Sequence, residues 1–140
     1  MVIDTSAIFA AIAAESDSAM YRAAIKTAPI RLMSAVTLLE TRIVVLSRLG
    51  SGAIAALDEL MKRAEIVEVP FDRQQNDIAF DAFKRYGKGR GHPAQLNFID
   101  CAAYALARSR DLALLFKGND FAQTDITWAL ASDSADERPP

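Results

Sequence analysis

Four acidic residues stand in this chain where a folded protein needs apolar ones, and any fold must accommodate them. Asp4 directly follows Met1, Val2 and Ile3. Glu40 lies inside the apolar run Val36 to Leu46, and Asp100 inside Leu96 to Leu106. Asp120 follows Leu112 to Phe116 after a short Lys117, Gly118, Asn119. Acids are almost never fully buried without a partner. Four that converge repel one another unless they share protons or hold a cation.

The chain has 140 residues, enough for one domain and too few for two ordinary ones. A single cysteine, Cys101, excludes an intrachain disulfide, so stability must come from the core. No run of about 18 apolar residues spans a membrane, and the apolar start meets Asp4 with no basic region before it, unlike a signal peptide. The expectation is a soluble, cytoplasmic chain with no membrane partner. Residues 1–131 are expected to form the domain, and the acidic segment Ser132 to Pro140 a disordered tail. Net charge is -2, yet Lys84, Arg85, Lys88 and Arg90 place four of the sixteen basic residues within seven positions. Charge therefore does not exclude a polyanionic partner.

Short apolar runs alternate with amphipathic ones. Val2-Ile3, Ile30 to Met33, Ile66 to Val69, Leu112 to Phe116 and Ile126 to Trp128 read as strands. Between them the spacing predicts helices. One is capped at Thr5 or Ser6 and runs to about Ala14, and one starts at Ser16 or Asp17. A third runs from Ser34 to Gly50, and a fourth opens at Ser51 or Gly52. Asp72 and Asn97 cap two more, ending near Tyr86 and Ser109. A short helical turn follows at Asp120 to Gln123. The alternation predicts an α/β fold, a central mostly parallel twisted sheet with helices on both faces.

In such sheets ligands bind beyond the carboxyl ends of the strands. Asp4 and Asp120 fall there. Glu40 shares a helix face with Val36, Ile43 and Ser47, and Asp100 with Asn97, Ala103, Tyr104 and Ala107. Two acids at strand ends and two on inward helix faces can form one cluster. All-oxygen ligands select hard cations, Mg2+ or Mn2+. Such a site positions and activates water for in-line attack on a phosphodiester.

At these residues the chain resembles the PIN-domain ribonucleases, specifically the VapC-type toxins of type II toxin–antitoxin pairs. The resemblance rests on Val2 to Ala7, Leu38 to Arg42, Leu96 to Leu106, Leu114 to Phe121 and Thr124 to Ile126, in family order. It implies Mg2+- or Mn2+-dependent RNA cleavage that stops translation, with tRNA or rRNA as target. It also implies neutralisation by a VapB-like antitoxin, and a homodimer. Residue by residue it carries over Asp4, Glu40 and Asp100 as the acidic triad and Ser6 as a polar neighbour of the metal site. The family's fourth acid falls on Asn119 or Asp120. Ile99 stands where relatives often have glycine. The acids alone do not distinguish RNA from DNA, because attack by activated water does not need a 2′-hydroxyl.

The loop Gly87 to Gly91 matches neither a Walker loop nor a dinucleotide-binding turn. Its Lys88 and Arg90, with Lys117 after the strongest strand, are candidates for RNA phosphate contacts. His92 and Cys101 are read as a loop residue and a small buried hydrophobe. The competing reading is a catalytically silent α/β regulatory or partner-binding domain, receiver-like or a degenerate PIN. A receiver needs an acceptor acid on a middle strand, where this chain has the helical Gly52 to Leu57.

Overall fold

The structure, a computed structural model, describes residues 1–130. The tail expected over 132–140 lies outside the described residues. Strand β1 (Val2–Ile3) leads into α1 (Thr5–Ile12) and α2 (Ser18–Thr27). Strand β2 (Leu32–Ser34) is followed by α3 (Ala35–Leu49) and α4 (Gly52–Arg63). Then come β3 (Val67–Val69), α5 (Arg73–Tyr86), α6 (Phe98–Arg110), β4 (Leu114–Leu115) and a 3-10 turn, Phe121–Gln123.

The described strands form one sheet in the order β3-β2-β1-β4, every pair parallel. Alternation along so short a strand is enough to build two cores, because successive side chains point to opposite faces. Val2 and Leu114 join α5 and α6 on one side, with Ala82, Tyr86, Leu106 and Tyr104. Ile3, Met33 and Leu115 join α1 to α4 on the other, with Ile8, Ile25, Val45 and Leu57. Helices therefore cover both faces, as the alternation predicts. Burying each of the fully enclosed leucines contributes about 1.5–3 kcal/mol.

Helix α6 runs through the protein centre. Cys101 to Ala107 are all buried, and its alanines let α5 pack close. Two helix ends depend on glycine. Gly50 ends α3 at φ 85°, a conformation only glycine adopts without strain. Gly87 ends α5 where a Cβ would come within 2.4 Å of the Phe83 carbonyl oxygen.

The strand ends depart from expectation. Ile30 is half exposed and β2 begins at Leu32, although the ladder reaches back to Arg31, whose carbonyl accepts from the Val67 amide at 2.9 Å. The expected last strand is reduced to one bridge, Leu114 with Trp128. It is made by Leu114 N–H to Thr127 O at 2.8 Å and Ala129 N–H to Leu114 O at 2.9 Å. No helix among the described residues is long and apolar enough to cross a membrane.

Candidate active site

Asp4 leaves β1 in extended backbone and caps α1 itself. The cap is one residue earlier than Thr5 or Ser6, because the strand's last extended residue is also an acid able to accept from the helix amides. Its Oδ2 accepts from the Ser6 amide at 3.0 Å and the Ser6 hydroxyl at 2.6 Å. Its Oδ1 is buried and has no hydrogen-bond partner among the described residues. Burial pushes the Asp4 carboxyl up. The Ser6 bonds oppose that shift, and the Glu40 charge adds to it.

The parallel register aligns the rest. Val2 pairs with Leu32 and Ile3 with Leu115, so Ser34 and Phe116 stand level with Asp4 at the carboxyl edge. The Asp4 amide donates to Leu115 O at 2.9 Å, and the Lys117 amide donates to the Ser6 hydroxyl at 2.9 Å. Ser6 thus sits between Asp4 and the segment that carries Asn119 and Asp120.

Glu40 is half-buried on α3, beside a buried pair of threonines. Thr41 Oγ1 and Thr5 Oγ1 are 2.9 Å apart, and Thr41 Oγ1 also donates to Thr37 O at 2.8 Å. This couples α1 to α3, and so the segment after Asp4 to the segment after Glu40. The buried face of α3 is Thr37, Leu38, Thr41 and Val45. Ile43, expected to share an inward face with Glu40, is exposed, so Glu40 stands at the rim of that face.

Asp100 occupies the first turn of α6. Asn97 and Asp100 form a capping box: Asn97 Oδ1 accepts from the Asp100 amide at 2.8 Å, and Asp100 Oδ2 accepts from the Asn97 amide at 2.8 Å. One carboxylate oxygen is thereby fixed and the other left available. The carboxyl is pushed up to about 7. Burial is the main cause, opposed by the Asn97 amide and reinforced by the charges of Asp4, Glu40 and Asp120. The charges of Asp4, Glu40 and Asp120 are thus all felt at the Asp100 carboxyl. Asp120 is exposed, precedes the 3-10 turn and makes no capping bond; Asn119 beside it is exposed.

In kind, this donor set suits a hard cation: carboxylate oxygens, one of them a buried, unpartnered acceptor. In spacing it is open, since among the described residues no three His, Cys, Asp or Glu side chains are gathered to hold an ion as they stand. Uncompensated carboxylates repel at close range, and Mg2+ commonly takes only one or two of them with waters.

The basic candidates divide. Lys88 and Arg90 are exposed and have no ion pair among the described residues. Their loop is pinned at its base by Lys88 N–H to Leu96 O and Leu96 N–H to Tyr86 O, both 2.9 Å. Leu96 immediately precedes the Asn97 cap of Asp100. The Lys117 ammonium instead meets Glu15 at 2.5 Å and Asp17 at 2.8 Å, and these carboxylates push its pKa up. Its charge is already matched, and its contribution to the site is its backbone amide. His92 Nδ1 accepts from the Ala94 amide at 3.1 Å and its ring meets the Tyr86 ring edge-on. The Cys101 thiol is buried and pushed up to about 12, by burial first and then by Asp100, which leaves it unreactive.

Sequence reasoning missed two polar networks. One is Thr5, Thr37 and Thr41, signalled only by threonines four apart in an apolar run. The other is Asp125, which accepts from Tyr104 OH at 2.6 Å and Arg85 Nη2 at 3.0 Å and ties the 121–126 segment to α5 and α6. A hollow of about 430 Å³ lined by Arg85, Tyr104 and Arg108 adjoins this network and contains none of the four acids.

This fold is that of a known class. The sequence matches the PIN domain over residues 1–126, and the chain belongs to that family, in its VapC branch. It is 45% identical over 130 residues to Ribonuclease VapC28 of Mycobacterium tuberculosis, covering 93% of this chain and 98% of that protein. It is 45% identical over 126 residues to Ribonuclease VapC of Mycolicibacterium smegmatis, covering 90% and 97%. Among solved structures, Mycobacterium tuberculosis VapC20, described as a sarcin-ricin loop cleaving toxin, shares the fold. The TM-score is 0.74 at 16% identity, over 90% of this chain and 95% of that one.

Proposed function

We propose that this chain is the toxin of a type II toxin–antitoxin pair, an endoribonuclease whose residues 1–131 form the catalytic unit. The observation that carries the reading is the Asp4 Oδ1, buried without a hydrogen-bond partner among the described residues at the carboxyl edge of the sheet; the Asp100 carboxyl, pushed up to about 7 mainly by burial, also feels the charges of Asp4, Glu40 and Asp120. Relatives named as ribonucleases over nearly the whole chain supply the substrate class.

Asp4, Glu40, Asp100 and Asp120 would hold Mg2+ (or Mn2+), which supplies charge neutralisation at the phosphate and an activated water for attack. The chain's own residues do the rest. Ser6 holds Asp4 through Oδ2 and leaves Oδ1 without a protein partner. The Asn97 cap does the same for Asp100. Asn119 offers a neutral oxygen or amide beside Asp120. Lys88 and Arg90 hold the RNA backbone without choosing sequence. The same reading includes neutralisation by a VapB-like antitoxin, a homodimer and a cytoplasmic RNA target, tRNA or rRNA.

Calorimetric titration of Mn2+ into the purified chain tests the site apart from catalysis. Binding to the wild type, lost in Asp4→Asn and Asp100→Asn while neither melts below the wild type, supports the assignment. Equal binding in all three proteins refutes it.

A further inference from the structure

We infer that Asp125 is a positioning residue for Asp120, fixing where that acid stands relative to Asp100. The inference rests on the reading of Asp120 as part of a cation site, and on separate residues for its geometry. Asn119 and Asp120 are exposed, and Asp120 makes no capping bond. Gly118 before them, at φ 104°, adds backbone freedom. Asp120 is therefore placed by what holds the chain on either side of it. On one side the Lys117 amide donates to the Ser6 hydroxyl at 2.9 Å. On the other, residues 121–124 form a tight turn. The Thr124 amide and hydroxyl both donate to the Phe121 carbonyl, at 3.0 and 2.8 Å, and the Phe121 ring is buried against Phe116.

Asp120 opens that turn and Asp125 closes it. Asp125 Oδ1 accepts from Tyr104 OH at 2.6 Å, and its Oδ2 from Arg85 Nη2 at 3.0 Å. Burial pushes this carboxyl up, but the Tyr104 and Arg85 donors outweigh it and hold the group below its usual range. Both bonds are therefore made to a charged carboxylate, which makes them the stronger kind. Tyr104 is buried and follows Asp100 by four residues, on the same face of α6. The helix that carries Asp100 thus also grips the turn that Asp120 opens, and the Asp120 charge is felt at the Asp100 carboxyl. Arg85 adds a second grip from α5. An exposed ion pair contributes little stability by itself, whereas two directional bonds from two helices fix where the turn lies.

The test is calorimetric titration of Mn2+ into four full-length proteins: wild type, Asp120→Asn, Asp125→Ala and the double variant. Each single change is expected to weaken binding about tenfold. The double variant should bind no more weakly than Asp120→Asn, because Asp125 acts only through Asp120. Asp125→Asn keeps an acceptor for Tyr104 and should fall between the wild type and the alanine variant. In EDTA, amide exchange at 118–121 should quicken about tenfold in Asp125→Ala and stay at the wild-type rate in α1. Wild-type Mn2+ affinity in Asp125→Ala or in Asp120→Asn overturns the proposal, as does a double variant whose two losses add. A lowered melt with either result makes the two bonds a staple for stability alone. Failure of the cation-site reading looks different. A wild type that binds no Mn2+ removes that reading, and exchange then decides for Asp125. Faster exchange confined to 118–121 keeps it as the residue that places Asp120, and unchanged exchange overturns it.

Discussion

The Ser6 hydroxyl donates to Asp4 Oδ2 across 2.6 Å while accepting the Lys117 amide at 2.9 Å. One oxygen thus orients the acid after β1 and anchors the segment after β4. Ser6→Ala removes both bonds and leaves the Lys117 amide without that partner. The expected cost is about 1–2 kcal/mol of stability, with RNA cleavage reduced about tenfold because Asp4 Oδ2 is then held by the residue 6 amide alone. Ser6→Thr, which keeps the hydroxyl, should retain most activity. Denaturation midpoints and kcat on one RNA substrate check both.

Asp100 makes stability depend on pH. Its carboxyl is raised from 3.8 to about 7, so the folded state holds the proton more tightly than the unfolded one. Stabilisation from that proton is full below about pH 4 and is lost as pH rises through about 7. In metal-free protein this loss should reach about 1–2 kcal/mol, reduced by solvent screening of a half-buried group. Asp100→Asn should flatten the profile and be the more stable protein at pH 8. Chemical denaturation from pH 5 to pH 8 in EDTA, wild type against variant, gives the difference. A wild type that gains stability relative to Asp100→Asn between those pH values contradicts the crowding of charge.

The Thr5–Thr41 bond links α1, which follows Asp4, to α3, which carries Glu40. Thr41→Val removes a buried hydroxyl from a pair and should cost about 1–2 kcal/mol. It should also weaken Mn2+ binding, though the residue carries no ligand. Calorimetry that returns wild-type affinity would reduce this contact to packing alone.

Lys88 and Arg90 should act through charge and not through the chemical step. The double alanine variant is expected to lower RNA affinity and to reduce the slope of log affinity against log salt by about 1–2, since single-stranded contacts each release about 0.7 of a counterion. kcat should change little. An unaltered salt slope would place RNA elsewhere.

Much of the fold was legible because local chemistry agreed with the final structure. Asp72 and Asn97 cap α5 and α6 where their side chains accept from Gln75 and Asp100 amides, and Gly50 stops α3 by its left-handed φ. The strands were harder. Their ends are set by parallel partners far along the chain, so Ile30 reads as strand but remains exposed. The site was legible as four acids out of place, yet not as unequal ones. Burial makes Asp4 and Asp100 the perturbed pair, while Glu40 stands at a rim and Asp120 in the open. That ranking depends on register and helix rotation, which no single segment encodes. The Lys117–Glu15–Asp17 ion pair and the Asp125 network join residues up to about a hundred positions apart and leave no local trace.

Cleavage of RNA by the purified chain in EDTA, followed by addition of Mg2+, tests the central claim most directly when the new ends are identified. The convergence of Asp4, Glu40, Asp100 and Asp120 predicts no products in EDTA, cleavage on adding Mg2+ or Mn2+, and 5′-phosphate ends that disappear in Asp4→Asn. Cleavage that survives EDTA and leaves 2′,3′-cyclic phosphates would contradict it.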